Sequence, residues 1–225
     1  GILEFEDINA EKKYLSCKNP AIRDFVLGCM IFDIGNNTII NYVEEGELNM
    51  VRVIEWLIEN TSIPDLNVRS SWVTSRIKKR DYFPSEKQYQ FLWFTLLKQL
   101  TSSSKNWQVS HEAKIMGRLK VDLMLIHIIR KERYYYQIEL VVNGKPTLGK
   151  LKENQTYDKS VEGHLIRQSI YHQKKKNTKG SVVVSIYNHP VENPYKPSQK
   201  SKDIDYIHME HFMEDLTTAR INVNE

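Results

Sequence analysis

What most constrains the fold is the order of patterns between residues 86 and 187. Tyr89, Leu92, Trp93, Leu96, Leu97 and Leu100 recur at i, i+3, i+4, i+7, i+8 and i+11, which predicts an amphipathic helix over 86–100. Ser85 and Gln88 have the spacing of a capping box at its start. Three strand-like runs follow. Residues 107–115 (WQVSHEAKI) alternate in part, 121–129 (VDLMLIHII) are almost wholly apolar, as in a central strand, and 133–142 (RYYYQIELVV) are rich in aromatic and β-branched types. Arg130, Lys131 and Glu132 separate the last two runs and suit a hairpin turn. A helix over 161–173, a basic turn (KKKNTKG), a buried strand over 181–187, a proline-rich loop and a final strand near 205–212 complete the pattern. The order helix, three strands, helix, strand predicts an α/β domain with an αβββαβ core.

The N-terminal stretch reads differently. Residues 20–32 suit a helix opened by Pro20 with Asn19 as cap, and 47–59 suit a second helix with a wide apolar face. Short strands fit near 3–7 and 38–43. The expected division is a mainly helical connector or cap over 1–80 and the α/β domain over 81–225. Gly1 in first place indicates a piece cut from a longer protein. The two cysteines, Cys17 and Cys29, lack zinc-finger spacing and read as small buried hydrophobes in a reducing compartment. No apolar run approaches the length that spans a bilayer, so no membrane partner is expected.

The net charge of +4 conceals an asymmetry: residues 105–202 carry 19 Lys and Arg against 8 Asp and Glu. The segments on either side are net acidic. A segment this basic attracts polyanions, although basic solvated faces without a ligand are common.

Two carboxylates sit where a soluble strand rarely places them. Asp122 interrupts the most apolar run and Glu139 lies within QIELVV. A buried carboxylate is costly without a partner or a cation. Either alone suits a strand-end carboxylate meeting solvent or an arginine; the two on adjacent strands suit a shared site. Glu86, in the first turn of its helix, is a third candidate, with helix-dipole compensation as its ordinary role. Mg²⁺ (or Mn²⁺) takes such oxygen ligands, and phosphodiester hydrolysis uses it with a group that activates or orients water.

Nucleases with this skeleton, the restriction-endonuclease-like fold, carry a lysine two residues after the strand glutamate, on the same strand face. Here that place holds Val141. Three readings stay open: Lys145, Lys150 or Lys152 supplies the ammonium, with Lys145 and Lys152 the catalytic candidates; the register starts at Gln137, with Glu139 in the lysine place; or the site only binds. Glu112 and Lys114 have carboxylate-x-lysine spacing one strand too early. Arg118, Lys150, Arg167, Gln168, Lys174, Lys175 and Lys176 are candidate nucleic-acid contacts, with His164 and Tyr171 on the same helical face as Arg167 and Gln168. The lysine triplet equally suits a solvated turn or part of a nuclear-import signal. Tyr134, Tyr135 and Tyr136 suit a core or a stacking surface for bases.

PSEKQYQ at 84–90, GRLKVD at 117–122 and IELVVNG at 138–144 resemble the C-terminal nuclease-like domain of Crinkler-type effectors of fungi and oomycetes. The second block departs from the family pattern by two extra residues between Arg118 and Asp122. The resemblance covers about residues 68–212. It implies a divergent PD-(D/E)XK (restriction-endonuclease) superfamily fold, a Mg²⁺-dependent DNA nuclease with Glu86, Asp122 and Glu139 at its metal site, and a secreted effector acting in a host nucleus. A host nuclear protein is a further implied partner. The family often lacks the same lysine, which leaves a catalytically inactive DNA- or protein-binding module as the alternative. An upstream P-loop ATPase is common in the family; no G-x-x-x-x-G-K-[ST] occurs in this sequence.

Overall fold

The computed structural model describes residues 3–9, 12–17, 37–61, 86–116, 119–144, 160–187, 191–192, 195–196, 204–211 and 219–223. The helix expected over 20–32, Cys29, Ser85, Gly117, Arg118, Lys145, Lys150 and Lys152 lie outside them.

Strands β1 (Leu3–Asn9) and β2 (Lys12–Cys17) pair antiparallel as a separate two-stranded unit. A 3₁₀ turn at Ile39–Tyr42 leads into the small hairpin β3 (Val43–Glu44) and β4 (Glu47–Leu48). Its turn, Glu45–Gly46, has positive φ at both residues, the geometry a two-residue hairpin requires. The helix expected from residue 47 therefore begins later, as α1 (Met50–Glu59). Asn49 is its cap, accepting the Arg52 N–H at 3.1 Å.

The rest follows the predicted order: α2 (Glu86–Thr101), β5 (Trp107–Met116), β6 (Leu119–Ile129), β7 (Glu132–Val142), α3 (Val161–Lys174), β8 (Thr178–Tyr187) and β9 (Ile204–His211); a further strand, β10 (Ala219–Val223), was not expected. One six-stranded mixed sheet has the order β10-β9-β8-β7-β6-β5. β5, β6 and β7 form an antiparallel meander, while β7, β8 and β9 run parallel. The β6–β7 turn is Arg130–Lys131, both at positive φ; Glu132 already pairs with Ile129 and belongs to β7. Residues 178–180, expected in the basic turn, belong to β8, whose register with β7 begins at Tyr135↔Thr178.

The sheet is covered on both faces. On one, Leu123, Leu125, Ile138, Leu140, Val182, Val184, Ile207 and Met209 pack with α1 and α2 around Trp93, Tyr89 and Ile54. On the other, Val141, Val183, Ile204 and Tyr206 pack with Val161 of α3. Residues 37–61 thus share the core of the α/β domain. Val141 needs no special account as a core residue: 3% exposed, it fills the α3 face.

Candidate functional site

The sheet is not continuous along β6 and β7. Their ladder runs from Ile129↔Glu132 to Leu123↔Ile138 and ends there. β7 goes on pairing with β8 as far as Val142, and β6 goes on pairing with β5 as far as Leu119. The two halves of the sheet therefore part at Asp122. Side-chain alternation breaks at the same place. Leu123 joins the core under α2, but Val121 and Met124 both join the cluster around Tyr171 of α3. In a regular strand Val121 would share a face with Leu123. On β5 the matching position, Glu112, has φ +45° and no ladder partner.

Asp122 sits at this discontinuity and turns toward β7. Its Oδ2 accepts the Leu140 N–H at 2.7 Å. A strand N–H points along the sheet, so the carboxylate lies between the parted strands and takes over a ladder bond that β6 no longer makes. The N–H favours the charged form, but desolvation dominates, and with Glu86 nearby the Asp122 carboxyl is pushed up to about 7.

The fork opens into a cavity of about 660 Å³, lined among others by Glu86, Lys120, Asp122, Glu139, His164 and Arg167. The first residue of α2, Glu86, and the cap of α3, Ser160, both border it. The starts of two helices thus border one space.

Glu139 faces α3 and is 2% exposed. Its Oε1 meets His164 Nδ1 at 2.9 Å and is ion-paired with Arg167; its Oε2 accepts Gln168 Nε2 at 3.0 Å. Arg167 Nη2 also stands 2.7 Å from His164 Nδ1, so that nitrogen either donates to the carboxylate or accepts from the guanidinium. Positions 164, 167 and 168 fall on one side of α3, and together they clasp the glutamate. Gln168 is wholly buried, so its amide serves Glu139 rather than an external strand. Beyond the clasp, the Arg167 Nε and Gln168 Oε1 atoms are buried with no hydrogen-bond partner among the described residues.

The structure thus brings Glu86, Asp122, Glu139 and Arg167 to one cavity. Lys174, Lys175 and Lys176 lie at the far end of α3, away from it. Glu112 is held by Lys120 at 2.9 Å, and Lys120, on the cavity wall, was no part of the sequence expectation. Tyr136 is core and its hydroxyl oxygen accepts the Leu48 N–H at 3.3 Å; Tyr134 and Tyr135 are half-buried. The clasp had one legible signal: polar residues at i, i+3 and i+4 on a helix opposite a buried strand glutamate.

Would this cavity suit Mg²⁺? Magnesium is commonly held by one or two carboxylates with water completing its shell. Asp122 and Glu86 both line the cavity and their charges repel, so a cation bound between them would offset both the burial of Asp122 and that repulsion. Glu139 does not, while Arg167 holds it. Among the described residues no three His, Cys, Asp or Glu side chains form a ready metal cluster.

No family model, curated protein or solved structure matches the chain. Three layers, a mixed sheet and the fork at Asp122 establish it on its own geometry as a mixed α/β domain.

Proposed function

We propose that the forked cavity is a phosphodiester-hydrolysing centre in a divergent restriction-endonuclease-like domain, acting on DNA. The observation that carries this reading is convergence. Glu86, Asp122 and Glu139 come from a helix and two strands, and they line one cavity at the point where the sheet parts. Two helix N-termini at its rim suit the phosphate of a bound strand. Asp122 and Glu86 would hold Mg²⁺ or Mn²⁺, which when bound supplies charge stabilisation and an activated water. Lys120 and Arg167 are the described cations on the wall and would orient the phosphate. Glu139 positions Arg167 and would serve as a metal ligand only if Arg167 turned away. The effector role in a host nucleus, with DNA or a host nuclear protein as partner, belongs to this proposal through the sequence resemblance alone.

A second reading has its own observation. Val141 is packed in the core and Arg167 neutralises Glu139, so neither the usual lysine nor a free second carboxylate is in place. That arrangement suits a module that binds without cutting. Plasmid and single-strand cleavage with Mg²⁺ or Mn²⁺ against EDTA, beside Asp122→Ala and Glu139→Ala, separates the two. Metal-dependent cutting lost in Asp122→Ala supports hydrolysis. No cutting by the unaltered chain, with salt-sensitive binding retained, supports the binding module.

A further inference from the structure

Eight basic residues collect at the end of the sheet opposite the cavity. β7 runs from the hairpin tip at Glu132 to the cavity at Val141 and Val142. Glu139 follows Glu132 by seven positions, so the two stand about 23 Å apart at strand rise. Three chain segments meet at the far end. The hairpin tip brings Arg130, Lys131 and Arg133. The turn from α3 into β8 brings Lys174, Lys175, Lys176 and Lys179, and it is fixed to β7 by the Tyr135 N–H on the Asn177 carbonyl at 3.0 Å. The turn before β5 brings Lys105, beside Asn106, whose carbonyl accepts the Ile128 N–H at 2.8 Å. Of these eight cations all but Lys175 are exposed. The acidic groups described among them are few: Glu132, bonded to Tyr134, and Glu47, paired with Lys179. Lys175 lies 4.3 Å from the Tyr135 ring centre and Lys179 5.7 Å from that of Tyr134, so the rings hold the ammonium groups over the strand surface.

We propose that this end of the sheet is a second nucleic-acid site: a non-specific anchor for the phosphate backbone of a duplex, separate from the cavity. The cations span four neighbouring strands, β8 to β5, a breadth of about 14 Å at normal strand spacing. That is wide enough to meet several phosphates of a duplex carrying a charge every 1.7 Å or so of its axis. An anionic membrane would match the charge too, but Ile129 is the one large exposed hydrophobic described there, which is too little apolar surface to enter a bilayer. The anchor stands whether or not the cavity cuts.

The test is binding of the full chain to a labelled 25-base-pair duplex by anisotropy across a salt series. It compares the unaltered chain with a K105S/R133S/K174S/K176S variant and with Lys114→Ser, an exposed lysine outside the cavity lining and outside the cluster. All four replaced side chains are exposed, so unfolding is not expected, and circular dichroism confirms it. The expected result is at least tenfold weaker binding of the quadruple variant. Its log–log salt slope should fall by about two or more, since each lost phosphate contact removes about 0.9. Lys114→Ser should keep the unaltered slope. Equal affinity and slope for the quadruple variant would overturn the anchor. So would tighter binding to phosphatidylserine vesicles than to the duplex, lost in the same variant.

Discussion

Asp122→Asn should stabilise the metal-free protein, and only above acid pH. The Asp122 carboxyl is pushed up from 3.8 to about 7 in the folded chain, chiefly by desolvation. Below about pH 4 it is protonated whether folded or unfolded and costs nothing. Between 4 and 7 the unfolded chain ionises it while the folded chain keeps the proton, so stability falls as pH rises. Above 7 the full penalty is present. A separation of about three pH units at 1.36 kcal/mol each sets a ceiling of ~4 kcal/mol, and structural relaxation brings the expectation to about 2 kcal/mol. Asparagine is nearly isosteric, and its Oδ1 can still accept the Leu140 N–H. Urea unfolding of both proteins at pH 4.5 and pH 8 in EDTA reads the difference. The gap in favour of Asn should be about four times smaller at pH 4.5 than at pH 8, and Mg²⁺ at pH 8 should narrow it by binding the native Asp122 form. A gap that is the same at both pH values, or an asparagine variant less stable at pH 8, would refute the buried-carboxyl argument.

Other changes have equally direct readouts. The turn pair R130N/K131G puts residues that tolerate positive φ where Arg130 and Lys131 now hold it, and should raise the urea midpoint by about 1 kcal/mol in stability. Arg167→Leu removes the counter-charge from the buried Glu139 and should cost about 3 kcal/mol in the same assay; a loss under about 0.5 kcal/mol would mean the clasp contributes little. Tyr89→Phe deletes the buried bond to His211 Nδ1, at 2.9 Å, that ties α2 to β9, and should cost about 1–2 kcal/mol by thermal or urea unfolding.

Much of the architecture was legible because one period dominates each element. The six apolar positions from Tyr89 to Leu100 admit only a helix, and β6 could hardly be other than an inner strand. Misplaced boundaries have local causes. Glu45–Gly46 is a hairpin turn hidden ahead of a helical pattern, so Glu47 and Leu48 were read into α1. The start of β8 was lost in a lysine-rich turn, because its first residues are held by backbone pairing to β7 rather than by apolar side chains. At the site, the sequence exposed the carboxylates through their misfit with apolar strands. It could not show that β6 leaves β7 at Asp122, since parting depends on which N–H the aspartate takes. Nor could it show that Arg167 and Gln168 turn inward: a polar helix face looks alike whether it meets a ligand or a buried glutamate. The separation of Lys174–Lys176 from the cavity follows from the direction of α3, a three-dimensional fact with no counterpart in spacing.

The central claim is that Glu86 and Asp122 hold a divalent cation at the fork. Crystals grown with Mn²⁺ at pH 8, where Asp122 is largely ionised, test it through the anomalous signal of the metal. A peak about 2.2 Å from oxygens of both carboxylates is the predicted result, absent from crystals of Asp122→Asn. Full data with no peak in the cavity, and Arg167 still paired with Glu139, would contradict the metal centre and leave the fork as a binding cleft.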